Sequence, residues 1–171
     1  ASTVNELVEL RNRAEGLIQF YLEQNVAMAL TSSLTSHVND VLIERAIAFA
    51  LHELKEDLGE PPTSFCWLSL GSEGREEQLI RTDQDNAILF ADVAQNEFES
   101  VQNYFLKLAA RVNQILEEAG FESCPADMMA SNSKWCQPLE VWRSYFEGWI
   151  KQPVEKSLML STIFFDYRCI H

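Results

Sequence analysis

The twenty residues from Gly71 to Phe90, GSEGREEQLIRTDQDNAILF, restrict the fold of this chain more than any other stretch. The apolar segment before them, FCWLSL at residues 65–70, predicts a strand, and AILF at their end predicts a second strand. A Gly-Ser turn follows the first strand, and an acid pair, Asp83 and Asp85, opens the second. A glycine lets the backbone approach a phosphate closely, and a helix start after it offers free N–H groups. The order strand, Gly-Ser turn, short helix and strand therefore predicts a site for a nucleoside triphosphate and a divalent metal.

The acid pair is the predicted metal-binding part of this motif. Asp83 and Asp85 are two positions apart, so on a strand their carboxylates point to the same face and Gln84 points away. Two hard oxygen ligands at this spacing suit Mg²⁺ or Mn²⁺, which share their coordination shell with substrate phosphates. The alternative is an aspartate cap or turn, because TDQDN is also rich in turn-forming residues.

The Gly-Ser turn supplies the predicted phosphate contacts. Gly71 permits a close backbone approach, Ser72 offers a hydroxyl, and Gly74 keeps the turn open. Arg75 can reach phosphate oxygens with its planar guanidinium. The alternative is an ordinary tight turn with a surface arginine. Together, the turn, the arginine and the acid pair favour the phosphate site.

These residues resemble a known family. The stretch is similar to the nucleotidyltransferase superfamily typified by DNA polymerase β, in which a Gly-Gly or Gly-Ser turn precedes Asp-x-Asp or Asp-x-Glu. More closely, GSEGREEQ and TDQDN resemble the nucleotidyltransferase family related to the N-terminal domain of the PII-protein uridylyltransferase. Later segments look like further family features: CPADMMASNSKW, LEVWRSYFEGWI and IFFDYR. The resemblance therefore covers most of the chain.

The resemblance implies an α/β (α+β) fold of the polymerase-β type, with a small mixed sheet flanked by helices. It implies metal-dependent transfer of a nucleoside monophosphate from a nucleoside triphosphate to a hydroxyl acceptor, more readily a regulatory protein's side chain than a nucleic acid. It also implies a bacterial signalling protein in which CBS or cyclic-nucleotide-binding domains flank this one. The alternative is a nucleotide-sensing or scaffold module that keeps the fold and transfers nothing.

The family pattern assigns roles unevenly. Asp83 and Asp85 match its metal ligands, and Glu77 matches a residue that holds Arg75 or the loop in place. The third carboxylate, a metal ligand and general base on the next strand, is Asp127 or its rival Asp166. For Asp166 the alternative is a structural ion pair with Arg168 or with a neighbouring strand.

The spacing of apolar residues predicts the elements around the motif. Predicted helices span 3–30, about 37–58, 96–119, 139–150 and 155–160, and predicted strands span 65–70, 86–91, 121–131 and 163–170. Pro125 interrupts or finishes the third strand, and Pro153 ends a helix. The polar segment TSSLTS separates the first two helices, which form an antiparallel pair in residues 1–60; residues 61–171 form the nucleotidyltransferase-like domain. The chain stops directly after an apolar segment, which indicates a piece of a longer protein.

Composition limits the partners. The net charge is −13, from 26 acids and 13 bases, which disfavours a nucleic acid as the main partner because its phosphates need Lys and Arg. No apolar run reaches the length of a membrane span, and the N-terminus lacks a secretion-signal pattern, so a cytoplasmic location is expected. The four cysteines lack C-x-x-C spacing, which disfavours a zinc site and predicts reduced thiols, with Cys66 buried in a strand.

Overall fold

The computed structural model describes residues 3–78, 83–152 and 154–171. Two sequence predictions fall outside the described residues: the part of the predicted short helix at residues 79–82, and Pro153 as the end of a helix.

The described residues form a mixed α+β fold. The helices are α1 (Val4–Glu23), α2 (Met28–Leu58), α3 (Gly71–Gly74), α4 (Phe98–Glu118), α5 (Leu139–Lys151) and α6 (Glu155–Phe164). The strands are β1 (Phe65–Ser69), β2 (Asp83–Gln84), β3 (Asn86–Phe90), β4 (Glu122–Ser123), β5 (Cys136–Pro138) and β6 (Arg168–Cys169). The predicted fold class, a small mixed sheet flanked by helices, is confirmed.

Four of the strands make the main sheet, in the order β5-β3-β1-β6. β1 runs antiparallel to both β3 and β6, whereas β3 and β5 are parallel. The register of the central pair places Ser69 opposite Asn86. β2 and β4 form a separate parallel pair, and β2 directly precedes β3 in the sequence. The Gly-Ser turn and the acid pair therefore lie at the same end of the central strand pair.

The two faces of the main sheet pack against different helices. Trp67, Ile88 and Phe90 point to one face and share a core with the apolar sides of α2 and α4. The alternating residues of β1 and β3, among them Leu68 and Ala87, point to the other face and pack with α5 and α6. By the same alternation, the carboxylate of Asp85 belongs to the second face.

The N-terminal pair of helices differs from the prediction at its turn. α1 ends at Glu23 and α2 begins at Met28, so the predicted break at TSSLTS is wrong. Within this segment, Thr35 Oγ1 donates to the carbonyl of Thr31, one helical turn earlier, at 2.8 Å. Thr31, Thr35 and Ser36 are buried, so this polar stretch is a packed face of α2 and not a loop.

The C-terminal segment also differs from the prediction. A strand was expected over 163–170, but α6 continues to Phe164 and only Arg168–Cys169 is extended. Phe164 is buried with its ring 4.4 Å from that of Trp135, so aromatic packing favours the helix. Cys169 forms a disulfide with Cys66, so the expectation of a reduced Cys66 is wrong.

One core spans the predicted division at residue 60. Leu42 and Ile47 of α2 belong to the same buried cluster as Trp67 of β1 and Phe105 of α4. The division into two domains stays a prediction. Among the described residues, no helix combines the length and the apolar character needed to cross a bilayer.

Candidate functional site

The Gly-Ser turn lies directly against the acid pair. Leu70 is extended after β1, and the chain turns into α3 at Gly71, whose φ of +56° lies in the left-handed region that favours glycine. The Leu70 amide donates to the Asp85 carbonyl at 3.0 Å. A Cβ on Gly71 would lie 3.6 Å from Asp85 Oδ2. The structure therefore brings together the two halves of the sequence motif, the turn and the acids.

The acid pair converges on a cysteine. One ligand atom each from Asp83, Asp85 and Cys124 lie within 4.8 Å of one another. Burial raises the pKa of Asp85; the hydrogen bond from the Cys124 thiol opposes this, and the charge of Asp83 adds to it. Burial, followed by the hydrogen bond to Asp85, raises the pKa of the Cys124 thiol. We call these three residues the Asp-Asp-Cys cluster.

Strand register explains the position of Cys124. β2 and β4 pair in parallel, with Asp83 opposite Glu122 and Gln84 opposite Ser123. The next step along both chains sets Cys124 beside Asp85. A strand is predicted over 121–131, but β4 ends at Ser123, and the chain turns back with the Asp127 amide donating to the Cys124 carbonyl at 3.0 Å. Sequence reasoning missed Cys124, because its proximity to the acids depends on this pairing.

Neither candidate for the third carboxylate belongs to the Asp-Asp-Cys cluster. Asp127 is exposed, with a φ of +56°, and its Oδ2 accepts from Asn132 Nδ2 at 2.7 Å. Asp166 Oδ2 accepts from Arg75 at 2.8 Å. The expected alternative pair of Asp166 with Arg168 does not form, because Arg168 binds Asp40 through both terminal nitrogens. A metal or base role for Asp127 or Asp166 stays a prediction.

Hydrogen bonds link the long helix α2 to the Gly-Ser turn and to the residues that follow it. Gln78 Nε2 donates to Ser72 Oγ at 3.4 Å, and Asn39 Nδ2 donates to Gln78 Oε1 at 3.3 Å. Ser32 Oγ donates to the Glu76 carbonyl at 2.6 Å. Both Asn39 and Gln78 are buried. The Ser72 hydroxyl is thus fixed by a chain of amides that begins on α2.

Arg75 is held by two carboxylates. Its Nε donates to Glu77 Oε2 at 2.8 Å, and the supporting role of Glu77 in the site stays a prediction. The second carboxylate is that of Asp166, and these two hydrogen bonds, with Glu77 first, raise the pKa of Arg75. The Arg75 side chain is 40% exposed, so an incoming phosphate can reach it.

Packing requires a glycine at position 74, which the sequence alone did not reveal. A Cβ at this position would lie 1.8 Å from the Asp166 carbonyl oxygen and 3.2 Å from that of Ser69. Only a residue without a Cβ lets the C-terminal segment lie this close to α3. Phosphate binding by Gly74 stays a prediction.

A buried amide network holds the strands that carry the acids. Asn113 Nδ2 of α4 donates to Gln84 Oε1 at 2.8 Å and to Asn86 Oδ1 at 3.2 Å. The amide of Gln84 returns a bond to the Asn113 carbonyl at 3.2 Å. Gln84 therefore points away from the site, as expected, and anchors the backbone between Asp83 and Asp85. The available sequence signal was an asparagine on the apolar face of α4, directly after Val112.

A buried acid lies in α3. Glu73 is 4% exposed, and its Oε1 has no hydrogen-bond partner among the described residues. Its pKa is raised to about 7, mainly by burial and also by the charges of Asp40 and Asp85, against the charges of Arg168 and Arg11, which lower it. The Glu73 carboxyl is therefore partly protonated at neutral pH in the folded protein.

An apolar cavity of about 240 Å³ lies on the second face of the sheet, the face of the acid pair. Its sheet side is formed by Leu68, Leu70 and Leu89, and its helix side includes Trp142, Phe146 and Phe164. Leu70 directly precedes Gly71, so the cavity adjoins the turn.

The donor set decides which ions fit the site. The carboxylates of Asp83 and Asp85 fit Mg²⁺ or Mn²⁺, which accept a few protein oxygens and complete their shell with water or phosphate. The thiol of Cys124 is a softer donor of the kind that Zn²⁺ and its neighbours prefer. The site can thus hold a divalent cation, and its third donor departs from an all-oxygen set.

Comparison with known proteins identifies a family. The model of the family described as "Putative nucleotidyltransferase DUF294" matches residues 12–156, which include α2, the turn and the whole Asp-Asp-Cys cluster. No curated protein matches the chain.

Proposed function

The chain belongs to the nucleotidyltransferase family DUF294, and we propose that it transfers a nucleoside monophosphate from a nucleoside triphosphate to a hydroxyl group, releasing pyrophosphate. One observation carries the proposal: the carboxylates of Asp83 and Asp85 converge within 4.8 Å, and Gly71 lies beside Asp85. A phosphate-binding turn and a metal-binding acid pair in contact are the two parts that this transfer needs.

The metal site is the first part. Asp83 and Asp85 would hold Mg²⁺ or Mn²⁺, and the bound ion would neutralise charge on the phosphates and polarise the reacting oxygens. The protein's own contribution is to hold the two carboxylates together. Asn113 Nδ2 donates to Gln84 Oε1 at 2.8 Å, which fixes the backbone between Asp83 and Asp85.

The phosphate cradle is the second part. The first helical bonds of α3 are donated by Glu73 and Gly74, both to the Leu70 carbonyl at 3.2 Å. The preceding amides, of Gly71 and Ser72, are the ones that we assign to the β- and γ-phosphates, together with the Ser72 hydroxyl. Arg75 would exchange its bond to Asp166 for a phosphate oxygen, which its guanidinium matches with two donors.

We place the nucleobase in the apolar cavity next to Leu70. A flat heteroaromatic ring packs well between aliphatic and aromatic side chains. The half-buried ring of Phe146 offers such a surface. Phe146→Ala should lower the affinity for the nucleotide in calorimetry while leaving the affinity for Mn²⁺ alone unchanged. Equal loss of both affinities would contradict this placement.

The acceptor that we propose is a protein side chain. The charge of −13 disfavours a polynucleotide, since binding one requires many phosphate-neutralising bases. Regulatory CBS or cyclic-nucleotide-binding domains, a PII-like acceptor and a cytoplasmic location belong to the same proposal and rest on the family resemblance. Asp127 and Asp166 both remain candidates for the base that deprotonates the acceptor.

Label transfer tests the function. The protein is incubated with labelled UTP, ATP, GTP or CTP, Mg²⁺ or Mn²⁺, and candidate acceptor proteins. Asp83→Asn should abolish transfer, and the matched control Asp57→Asn, an exposed acid near the far end of α2, should not change it. Transfer that survives in Asp83→Asn would refute the assigned site. Asp127→Asn and Asp166→Asn assayed in parallel identify the base.

A second function is favoured by one specific observation. A cysteine, and no third carboxylate, completes the described cluster at Asp83 and Asp85. A site of this kind can bind a metal and a nucleotide without activating an acceptor, which would make the domain a nucleotide sensor. Tight binding of metal and nucleotide, with neither label transfer nor pyrophosphate release for any acceptor, would favour the sensor over the transferase.

A further inference from the structure

The third donor of the Asp-Asp-Cys cluster is a thiol at a position fixed by strand pairing. We propose that Cys124 is a metal ligand, so that the site binds a thiophilic divalent ion, such as Zn²⁺, Co²⁺ or Cd²⁺, in preference to Mg²⁺. This inference rests on the proposed function, because it concerns the same acid pair. Zinc-type spacing is absent from the sequence; β2–β4 pairing creates the donor set instead.

The distances are compatible with one ion. Oxygen and sulfur ligands sit roughly 2.0–2.3 Å from Zn²⁺, so ligand atoms around a single ion lie roughly 3–4 Å apart. The three atoms here already lie within 4.8 Å of one another. Small side-chain rotations are sufficient to close that difference. Three protein donors around an open position also match the layout of sites that bind a substrate on the metal.

The backbone aims the thiol at the acids. Cys124 is the first residue after β4, and the turn that follows fixes its carbonyl to the Asp127 amide at 3.0 Å. Its side chain is 8% exposed and hydrogen-bonded to Asp85. The alternative is a cysteine that only fills apolar space, since Cys124 also packs in the cluster with Leu68 and Met128.

Cys136 shows what that alternative looks like and provides a matched control. It is the other free cysteine of the described residues, fully buried in the first core with Ile88 and Phe105. It belongs to no cluster of possible metal ligands in the described part of the chain. Cys124 lies beside two carboxylates, whereas Cys136 lies in an apolar core. Comparing variants of the two therefore distinguishes an effect of metal binding from an effect of burial alone.

Absorption spectroscopy tests the proposal, because a thiolate bound to Co²⁺ or Cd²⁺ produces a sulfur-to-metal charge-transfer band. The full chain is titrated with each ion, and calorimetry measures affinity in parallel. Wild type and Cys136→Ala should show the band, and Cys124→Ser should lose it together with about 10–100-fold in Co²⁺ affinity. Mg²⁺ affinity, measured by competition, should change by less than about threefold. Cys124→Asp should reverse the preference by raising the affinity for Mg²⁺ and lowering that for Cd²⁺.

Three outcomes would overturn the proposal: Co²⁺ bound by the wild type without a band, a band that persists in Cys124→Ser, or equal losses of Co²⁺ and Mg²⁺ affinity. Far-ultraviolet circular dichroism verifies that each variant is folded, and Cys124→Ala replaces Cys124→Ser if the serine variant does not fold.

The metal-ligand proposal and the proposed function can fail independently of each other. Nucleotide binding that Asp83→Asn abolishes, without any band in wild type, refutes the thiol ligand alone. A band without nucleotide binding or transfer refutes the proposed function and leaves the metal site intact.

Discussion

Substitution of Gly74 by alanine tests whether this glycine serves packing. The added Cβ would lie 1.8 Å from the Asp166 carbonyl oxygen, whereas real Cβ contacts under 3.0 Å essentially never occur. The obstacle is backbone on both sides, so no rotamer change relieves it. Either α3 or the C-terminal segment must move by roughly 1 Å, which is overpacking of the kind that costs about 1–3 kcal/mol.

The matched control is Gly148→Ala. Gly148 lies inside α5, and an added Cβ meets nothing within 4 Å. Alanine there should raise the free energy of unfolding by about 0.5–1 kcal/mol, because glycine is a poor residue inside a helix. For a chain of this size, each kcal/mol corresponds to about 2–4 °C in Tm. Gly74→Ala should therefore lower Tm by about 2–12 °C, and Gly148→Ala should raise it by about 1–4 °C.

Thermal unfolding of the two variants, followed by circular dichroism beside the wild type, checks both signs. Calorimetric titration with a nucleotide adds a second measurement on the same samples. A Gly74→Ala protein with unchanged or higher Tm would refute the packing argument. If its nucleotide affinity alone falls, Gly74 serves the phosphate directly, as the sequence predicts.

Three further substitutions test the surroundings of the site. The folded protein keeps the Glu73 proton up to about pH 7, and the unfolded chain loses it above about pH 4.5, so stability should fall as the pH rises between these values. Glu73→Gln should remove that slope and add about 2–3 kcal/mol at pH 8 in urea unfolding. Arg168→Ala should cost about 1–3 kcal/mol by leaving half-buried Asp40 unpaired, whereas breaking the exposed Glu147 pair with Lys151→Ala should leave the stability essentially unchanged. Asn113→Ala should cost about 1–3 kcal/mol and weaken Co²⁺ binding, measured by chemical unfolding and calorimetry.

Elements whose signal is local were predictable. The apolar period of α4 and α5 and the apolar run of β1 require no knowledge of the rest of the chain, and all three predictions are confirmed. The motif from Gly71 to Phe90 is equally local, since the turn and the acid pair meet through the single β1–β3 antiparallel pairing. The contact between Gly71 and Asp85 follows from that pairing.

Elements decided by tertiary contacts were not predictable. TSSLTS contains cap-forming residues, but it lies inside α2, where Thr35 bonds to the Thr31 carbonyl and Ser32 donates to the Glu76 carbonyl just after α3. Residues 163–170 are apolar and aromatic enough for either a strand or a helix, and contact with Trp135 decides for the helix as far as Phe164. In both cases the partner that determines the outcome is far away in the sequence.

The third position of the metal site follows from the same physics. The family resemblance points to Asp127, on the segment after α4, as the third carboxylate, but β4 has only two residues and ends at Ser123. One residue beyond this parallel pair, the same register brings Cys124 beside Asp85, and three residues later the chain has already turned back. The strand register determines which side chain faces Asp83 and Asp85. Asp127, three residues after Cys124, therefore does not take the place of a carboxylate at position 124. Cys124→Asp is therefore the substitution that places a third carboxylate beside Asp85, and its Mg²⁺ affinity measures how much of the family's implied oxygen site this backbone already provides.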